Sequence, residues 1–213
     1  MAGLMMGLLV VVMLVVPWLV AGQRAENALP DREARLWIAL GLVQVTIWST
    51  LGPAQVLAAA LRARGLLNPV ATGVIVVGAV VVAGLWSRRR PGILEVVAAI
   101  GVASAYLMVI VRTGLSPAER THLFEYGIVA VLAYEALRER RRAGRKSFHP
   151  WPTALLLAIT LGVIDEGLQD IVPNRVFDLT DVIFNTLAVT MALISVAVMG
   201  LARRVARERR ASR

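Results

Sequence analysis

The chain has 213 residues, 58% of them hydrophobic, with no cysteine and a formal net charge of +9. A mean hydropathy of +0.70 places it among polytopic membrane proteins, whose spans and short loops leave no room here for a separate soluble domain. The lack of cysteine excludes disulfides, thiolate metal sites and cysteine nucleophiles. The basic clusters at 88–90, 138–146 and 203–213 fall between or after apolar runs, as the positive-inside rule requires and a nucleic-acid surface does not.

In chain order, the apolar runs cover residues 4–20, 36–51, 69–86, 93–111, 122–137, 152–172 and 179–201. They predict an all-α, polytopic transmembrane bundle of about seven spans. The first run has no basic residue ahead of it, so it reads as a retained span and not a cleaved signal peptide. The second is short and continues past Gly52-Pro53, either as a kinked extension or as a helix on the membrane surface. With the three basic clusters inside, the N-terminus faces out and the C-terminus is cytoplasmic. The loops at 113–120 and 173–178 then face the exterior, as do Arg62 and Arg64, against the rule.

The sixth run holds the main anomaly. From Trp151 it reaches Asp165 after about 14 residues, or about 21 Å of helix. Crossing a hydrocarbon core of about 30 Å therefore carries the helix through Asp165 and Glu166 to about Val172. An ionisable group in mid-membrane costs on the order of 3 kcal/mol and is a functional-site candidate by default. Neighbouring runs carry polar groups at a similar depth. His122, Glu125 and Tyr126 share one helix face, as do Asp165, Glu166 and Gln169, and as do Asp181 and Asn185. Converging on each other or on a wet cleft is cheaper than facing lipid separately, and Gly162 and Gly167 would allow the helices to approach.

Several of these residues also have plain structural readings. Asp178 suits a helix N-cap, with Asp181 three residues on, and Pro173-Asn174 suits the turn that closes the sixth span. Arg175 suits a salt bridge to the carboxylates or to lipid head groups. Glu95 and Glu135 lie near cytoplasmic ends, where snorkelling suffices.

Two separated blocks resemble the signatures of the VanZ-like family of bacterial membrane proteins. ERTHLFEYGIVAVLAY, residues 119–134, is similar to the first, in which an acidic-basic pair precedes a histidine and a tyrosine follows four residues later. DEGLQDIVPNRVFDLTDVIFNTL, residues 165–187, is similar to the second: an acidic pair, a glutamine, a Pro-x-Arg turn, then aspartate and asparagine. Asn174 stands where the family usually has glycine, and asparagine tolerates the left-handed backbone of such a turn. Ala188 stands where glycine is favoured. The resemblance implies a four-span domain at 87–202, preceded by an extension of about three spans at 1–86 and followed by a basic cytoplasmic tail at 203–213. It also implies a bacterial inner-membrane protein connected with the envelope, the founding member being associated with low-level glycopeptide resistance; it supplies no reaction.

Three functions compete. In the first, an outward polar cleft binds a lipid-linked or glycopeptide-type head group: Arg175 meets phosphate or carboxylate, Gln169 and Asn185 bond sugar or amide, Tyr126 and Asp181 complete the site, and His122 orients Glu125. In the second, an intramembrane enzyme acts on a lipid-linked substrate. One of Asp165 and Glu166 is then kept protonated as a general acid, with His122 as base and a hard cation such as Mg²⁺ among the carboxylates. In the third, the acidic pair relays protons in a small transporter. No cofactor is specified, and the partners are membrane lipids. A zinc protease is excluded by the lack of His-Glu-x-x-His, a retinal protein by the loop position of the sole lysine, Lys146, and nucleotide hydrolysis by the lack of a phosphate loop.

Overall fold

The computed structural model describes residues 31–70, 72, 73, 76, 80, 84, 91–112, 117–146, 148–171 and 176–212, with 52–55, 58, 117–122 and 210 described by backbone alone. Five long helices stand among them: α1 Arg32–Ala63, α2 Ile93–Arg112, α3 Pro117–Arg142, α4 Pro150–Gln169 and α5 Leu179–Ala211. The described residues contain no strand, in keeping with the expected all-α bundle. Four helices are long and apolar enough to cross a membrane, over Arg32–Leu51, Ile93–Arg112, Pro150–Gln169 and Leu179–Arg209. The run at 4–20 and most of that at 69–86 lie outside the described residues.

Local chemistry sets the helix ends. Asp31 caps α1 by accepting from the Ala34 amide at 2.8 Å, and Asp178 caps α5 by accepting from the Thr180 amide at 2.8 Å. Pro150 opens α4, where its missing N–H costs nothing. That helix ends at Gln169, short of the Val172 expected from sequence, because Pro150 starts it earlier and 20 residues already give about 30 Å. α1 runs unbroken through residues 52–55 as one long helix. The basic residues from Arg203 onward directly continue α5.

α3 is the hub of the bundle, packing against α1, α4 and α5; α4 also packs on α5, and α2 lies against α5. Its position explains its composition. With three neighbours covering it, α3 has no need of an apolar surface all round, and it is the long helix missing from the apolar set. α2 is the opposite case, with no buried residue and with Ile93, Val97, Ile100, Leu107 and Val111 exposed.

Hydrocarbon drives helices together weakly, so close backbone approach and dispersion must hold the bundle. Its interior is accordingly rich in small residues: Ala130, Ala133 and Ala136 on α3, Ala154 and Ala158 on α4, and Ala188 and Ala192 on α5 are all buried. On α4 the buried stripe reads Ala154, Ala158, Gly162, Asp165, Glu166, Gln169 beyond Pro150. One face thus changes from small and apolar to acidic partway along the helix. On α5, Asn185 lies at one end of the buried stripe and Ala188, Val189, Ala192 and Leu193 continue it.

Ion pairs lock the start of α1 to the end of α3. Glu33, buried, accepts from Arg140 at 3.0 Å and from Arg145 at 2.7 Å; Arg145 also holds Asp31 at 2.9 Å, and Arg32 holds Glu139 at 3.1 Å. Gly144, at φ +70, lets the chain turn back at the end of α3, with Arg145 N–H bonded to the Arg140 carbonyl and Gly144 N–H to that of Arg141. This Schellman closure aims Arg145 at α1. The Ala34 amide, and after it Arg145, hold the Asp31 carboxyl below its usual range, so its contribution is complete above the unfolded value and is lost only as strong acid protonates the folded state. Glu135 bonds Arg138 at 2.8 Å, and Glu95 bonds Arg203 at 3.3 Å. The acids expected to snorkel are therefore ion-paired. The α1 N-terminus, α2 N-terminus, α3 C-terminus and α5 C-terminus gather at one basic end, consistent with the clusters at 138–146 and 203–213 lying on one side; the cluster at 88–90 lies outside the described residues.

Two predictions follow from this packing. A β-carbon at Gly162 would meet Asn185 Cβ at 3.1 Å, one at Gly127 would meet Ala192 at 3.7 Å, and one at Gly167 would meet nothing within 4 Å. Gly162→Ala should lower stability by about 1–3 kcal/mol; Gly127→Ala should be near neutral, and Gly167→Ala neutral or stabilising by up to about 1 kcal/mol. Thermal unfolding in detergent ranks the three, and equal behaviour of Gly162→Ala and Gly167→Ala would contradict the packing. Glu33→Gln, which weakens two pairs to half-exposed arginines, should cost about 1–2 kcal/mol and leave the protein less sensitive to added salt than wild type. An unchanged salt response would show that the lock contributes nothing.

Candidate functional site

Polar side chains buried within the bundle occur at two levels. Glu33 and Arg35 lie at the basic end; Gln44, Glu125, Asp165, Glu166, Gln169 and Asn185 lie toward the other. The second group is a cluster drawn from four helices. Gln169 sits at its outer edge and donates through Nε2 to Asp165 Oδ2 at 3.1 Å and to Glu166 Oε1 at 2.7 Å. One NH₂ group thereby spans two carboxylates on adjacent residues, which the i, i+3 and i, i+4 spacing permits.

Tyr126 joins this unit to the other helices. Its hydroxyl donates to the Leu161 carbonyl at 3.4 Å and lies beside Gln44 and Asp165, with Glu125 close by. A β-carbon at Gly162 would come within 3.4 Å of both Tyr126 Cε1 and Asn185 Nδ2. The missing side chain at Gly162 thus makes the space in which Tyr126 from α3 and Asn185 from α5 meet α4. Ala188, the departure from the family pattern, is buried one turn further along α5.

The outer rim is set by caps. Asp170 Oδ1 accepts from the Phe177 amide at 3.3 Å, tying the segment before α5 to the end of α4. Asp178 performs the capping role expected of it, and the Thr180 backbone amide holds its carboxyl below the usual range. Asp181 is half-buried on the same α5 face as Asn185, one turn nearer the rim.

Of the sequence candidates, the structure brings together Glu125, Tyr126, Asp165, Glu166, Gln169 and Asn185, with Asp181 at the edge. The His122 side chain, Pro173, Asn174 and Arg175 lie outside the described residues. Among the described residues no group of three or more histidines, aspartates and glutamates has the arrangement to hold a metal ion. Gln44 was missed by sequence reasoning, because α1 carries none of the acidic pattern. The available signal was an amide in the middle of the otherwise apolar run 36–51, a group that lipid would not solvate.

Residues 36–200 match the VanZ/LLP1 family. The chain belongs to that family. Comparisons with curated proteins and with solved structures give no match. The VanZ/LLP1 match takes in α1 as well as the two signature blocks, so Gln44 falls within the matched region. The two blocks that carried the resemblance are the ones whose polar residues meet around Tyr126.

Gln169→Leu tests the cluster's cohesion. Removing the donor leaves two buried carboxylates without their shared partner, which should cost about 2–4 kcal/mol. Adding Glu166→Gln should recover part of that loss, since one charge is then removed and an amide N–H restored. A double-mutant cycle read by thermal unfolding measures the coupling, and strict additivity would contradict the bridging role.

Proposed function

We propose that this VanZ/LLP1 membrane protein resides in the bacterial inner membrane with its basic end cytoplasmic, and binds the polar head of a lipid-linked or glycopeptide-type envelope ligand in an outward-facing cleft. The observation that carries this reading is that, among the described residues, the polar column is blind. Between Arg35 and Gln44 lie about 13 Å of helix whose buried residues are Leu36, Ala39, Leu40 and Val43. The same layer is filled from the other helices by Val129, Ala130, Ala133, Ala154, Ala158, Ala192 and Leu193. Hydroxyls near this level are already engaged: Thr190 donates to the Thr186 carbonyl, and Ser195 donates to that of Met191 and pairs with the Tyr106 hydroxyl of α2. A through-going proton relay needs polar groups along its whole length. A binding site needs them at one end.

The chemistry of the cleft defines what it would hold. Glu125, Asp165 and Glu166 favour hydrogen-bond donors such as ammonium, hydroxyl or amide N–H. Arg175 on the adjoining turn would take the anionic part of the same head group, and His122 would sit at the α3 entrance. Covalent catalysis is less well served. Ser195 lies about 15 Å deeper than Asn185 along α5, and its hydroxyl is already engaged at 2.7 Å.

Native mass spectrometry of the full-length protein, released from its own membrane into nanodiscs, tests the reading. Wild type should retain a polar lipid-linked species that Asp165→Asn/Glu166→Gln loses, with Arg175→Ala weakening retention further. Equal retention by wild type and the double variant would sink the proposal.

A further inference from the structure

We infer that the deep end of the cleft, formed by Asn185 and Gln44 about Tyr126, recognises a carboxamide, so that the ligand class is a head group bearing an acetamido or peptide amide. This deepens the outward-cleft reading and rests on it. Asn185 is 1% exposed, and neither its Nδ2 nor its Oδ1 has a hydrogen-bond partner. An asparagine side chain offers two donors and an acceptor in one plane, and buried polar groups are rarely left without partners. The contacts that fix it are steric. Asn185 occupies the space over Gly162, whose β-carbon would meet Asn185 Cβ at 3.1 Å and the Tyr126 ring at 3.4 Å, so it has little freedom to turn toward the rim.

The surroundings select among ligand groups. A phosphate or carboxylate offers acceptors and negative charge, and would be repelled by Asp165, which lies at the Tyr126 hydroxyl. A secondary amide presents its N–H and C=O on opposite sides and so needs two partners. Asn185 and the Tyr126 ring share the space over Gly162, and Gln44 stands at the Tyr126 hydroxyl. Two neutral amides from α5 and α1 therefore supply both halves, with Asp165 beside them at the Tyr126 hydroxyl.

A matched pair of probes tests this: dodecyl 2-acetamido-2-deoxyglucoside and dodecyl glucoside, which differ only in acetamido against hydroxyl. Binding to the full-length protein in nanodiscs should favour the acetamido probe by about tenfold, a ratio that one properly paired buried amide sustains. Asn185→Leu should reduce the preference to less than twofold while the glucoside still binds. Asn185→Ala provides the same comparison should the leucine variant fail to fold. Equal affinity of the two probes for wild type, or a preference that survives both substitutions, overturns the inference and assigns the amide to ordered water. If the probes bind equally and both are lost in Asp165→Asn/Glu166→Gln, the outward cleft stands and only the amide assignment fails. If neither probe binds wild type, both readings fail.

Discussion

Hydrocarbon cannot solvate a carboxylate or an amide, and the arrangement of this bundle follows from that fact. Glu125, Asp165, Glu166, Gln169 and Asn185 lie on three helices at depths where lipid offers no hydrogen bond. Their burial requires those helices to turn the same faces inward, and Gly162 is what allows the faces to close. The same constraint explains why α3, the least apolar of the long helices, occupies the centre.

The two ends of the bundle use charge differently. At the basic end the charges are near the membrane boundary, and Glu33, Arg140, Arg145 and Asp31 form a network that joins α1 to α3. Such pairs are partly solvated and contribute modestly one by one, yet here several act on the same helix junction and complement the helix dipoles. In the opposite half Gln169 spans two of the acids, Asp165 and Glu166.

Much of this was legible in the sequence because membrane helices obey simple rules. Among the described residues the apolar runs gave the helices, the basic clusters at 138–146 and 203–213 gave a common end, and i, i+3, i+4 spacing placed Asp165, Glu166 and Gln169 on one face. Asp178 read correctly as a cap from its position before an apolar run. What was less legible depended on tertiary neighbours. Gln44 carries no charge and no local pattern, so only its placement beside Tyr126 reveals it. Gly167 looked as suitable as Gly162 for close packing, but it points away from the bundle and meets nothing. The ion pairs of Glu33 and Glu95 join residues more than a hundred positions apart, a separation that periodicity does not address.

The central claim is that the polar half of the bundle opens outward and is sealed from the basic end. The natural absence of cysteine makes this directly measurable, since single cysteines can be introduced without background. With a membrane-impermeant thiol reagent applied to intact spheroplasts, Asp170→Cys and Asp181→Cys should react. Gly144→Cys should react only after the membrane is opened, and Ala158→Cys under neither condition. Labelling of Gly144→Cys from outside, or of Ala158→Cys at a rate near that of Asp181→Cys, would contradict the outward, blind cleft.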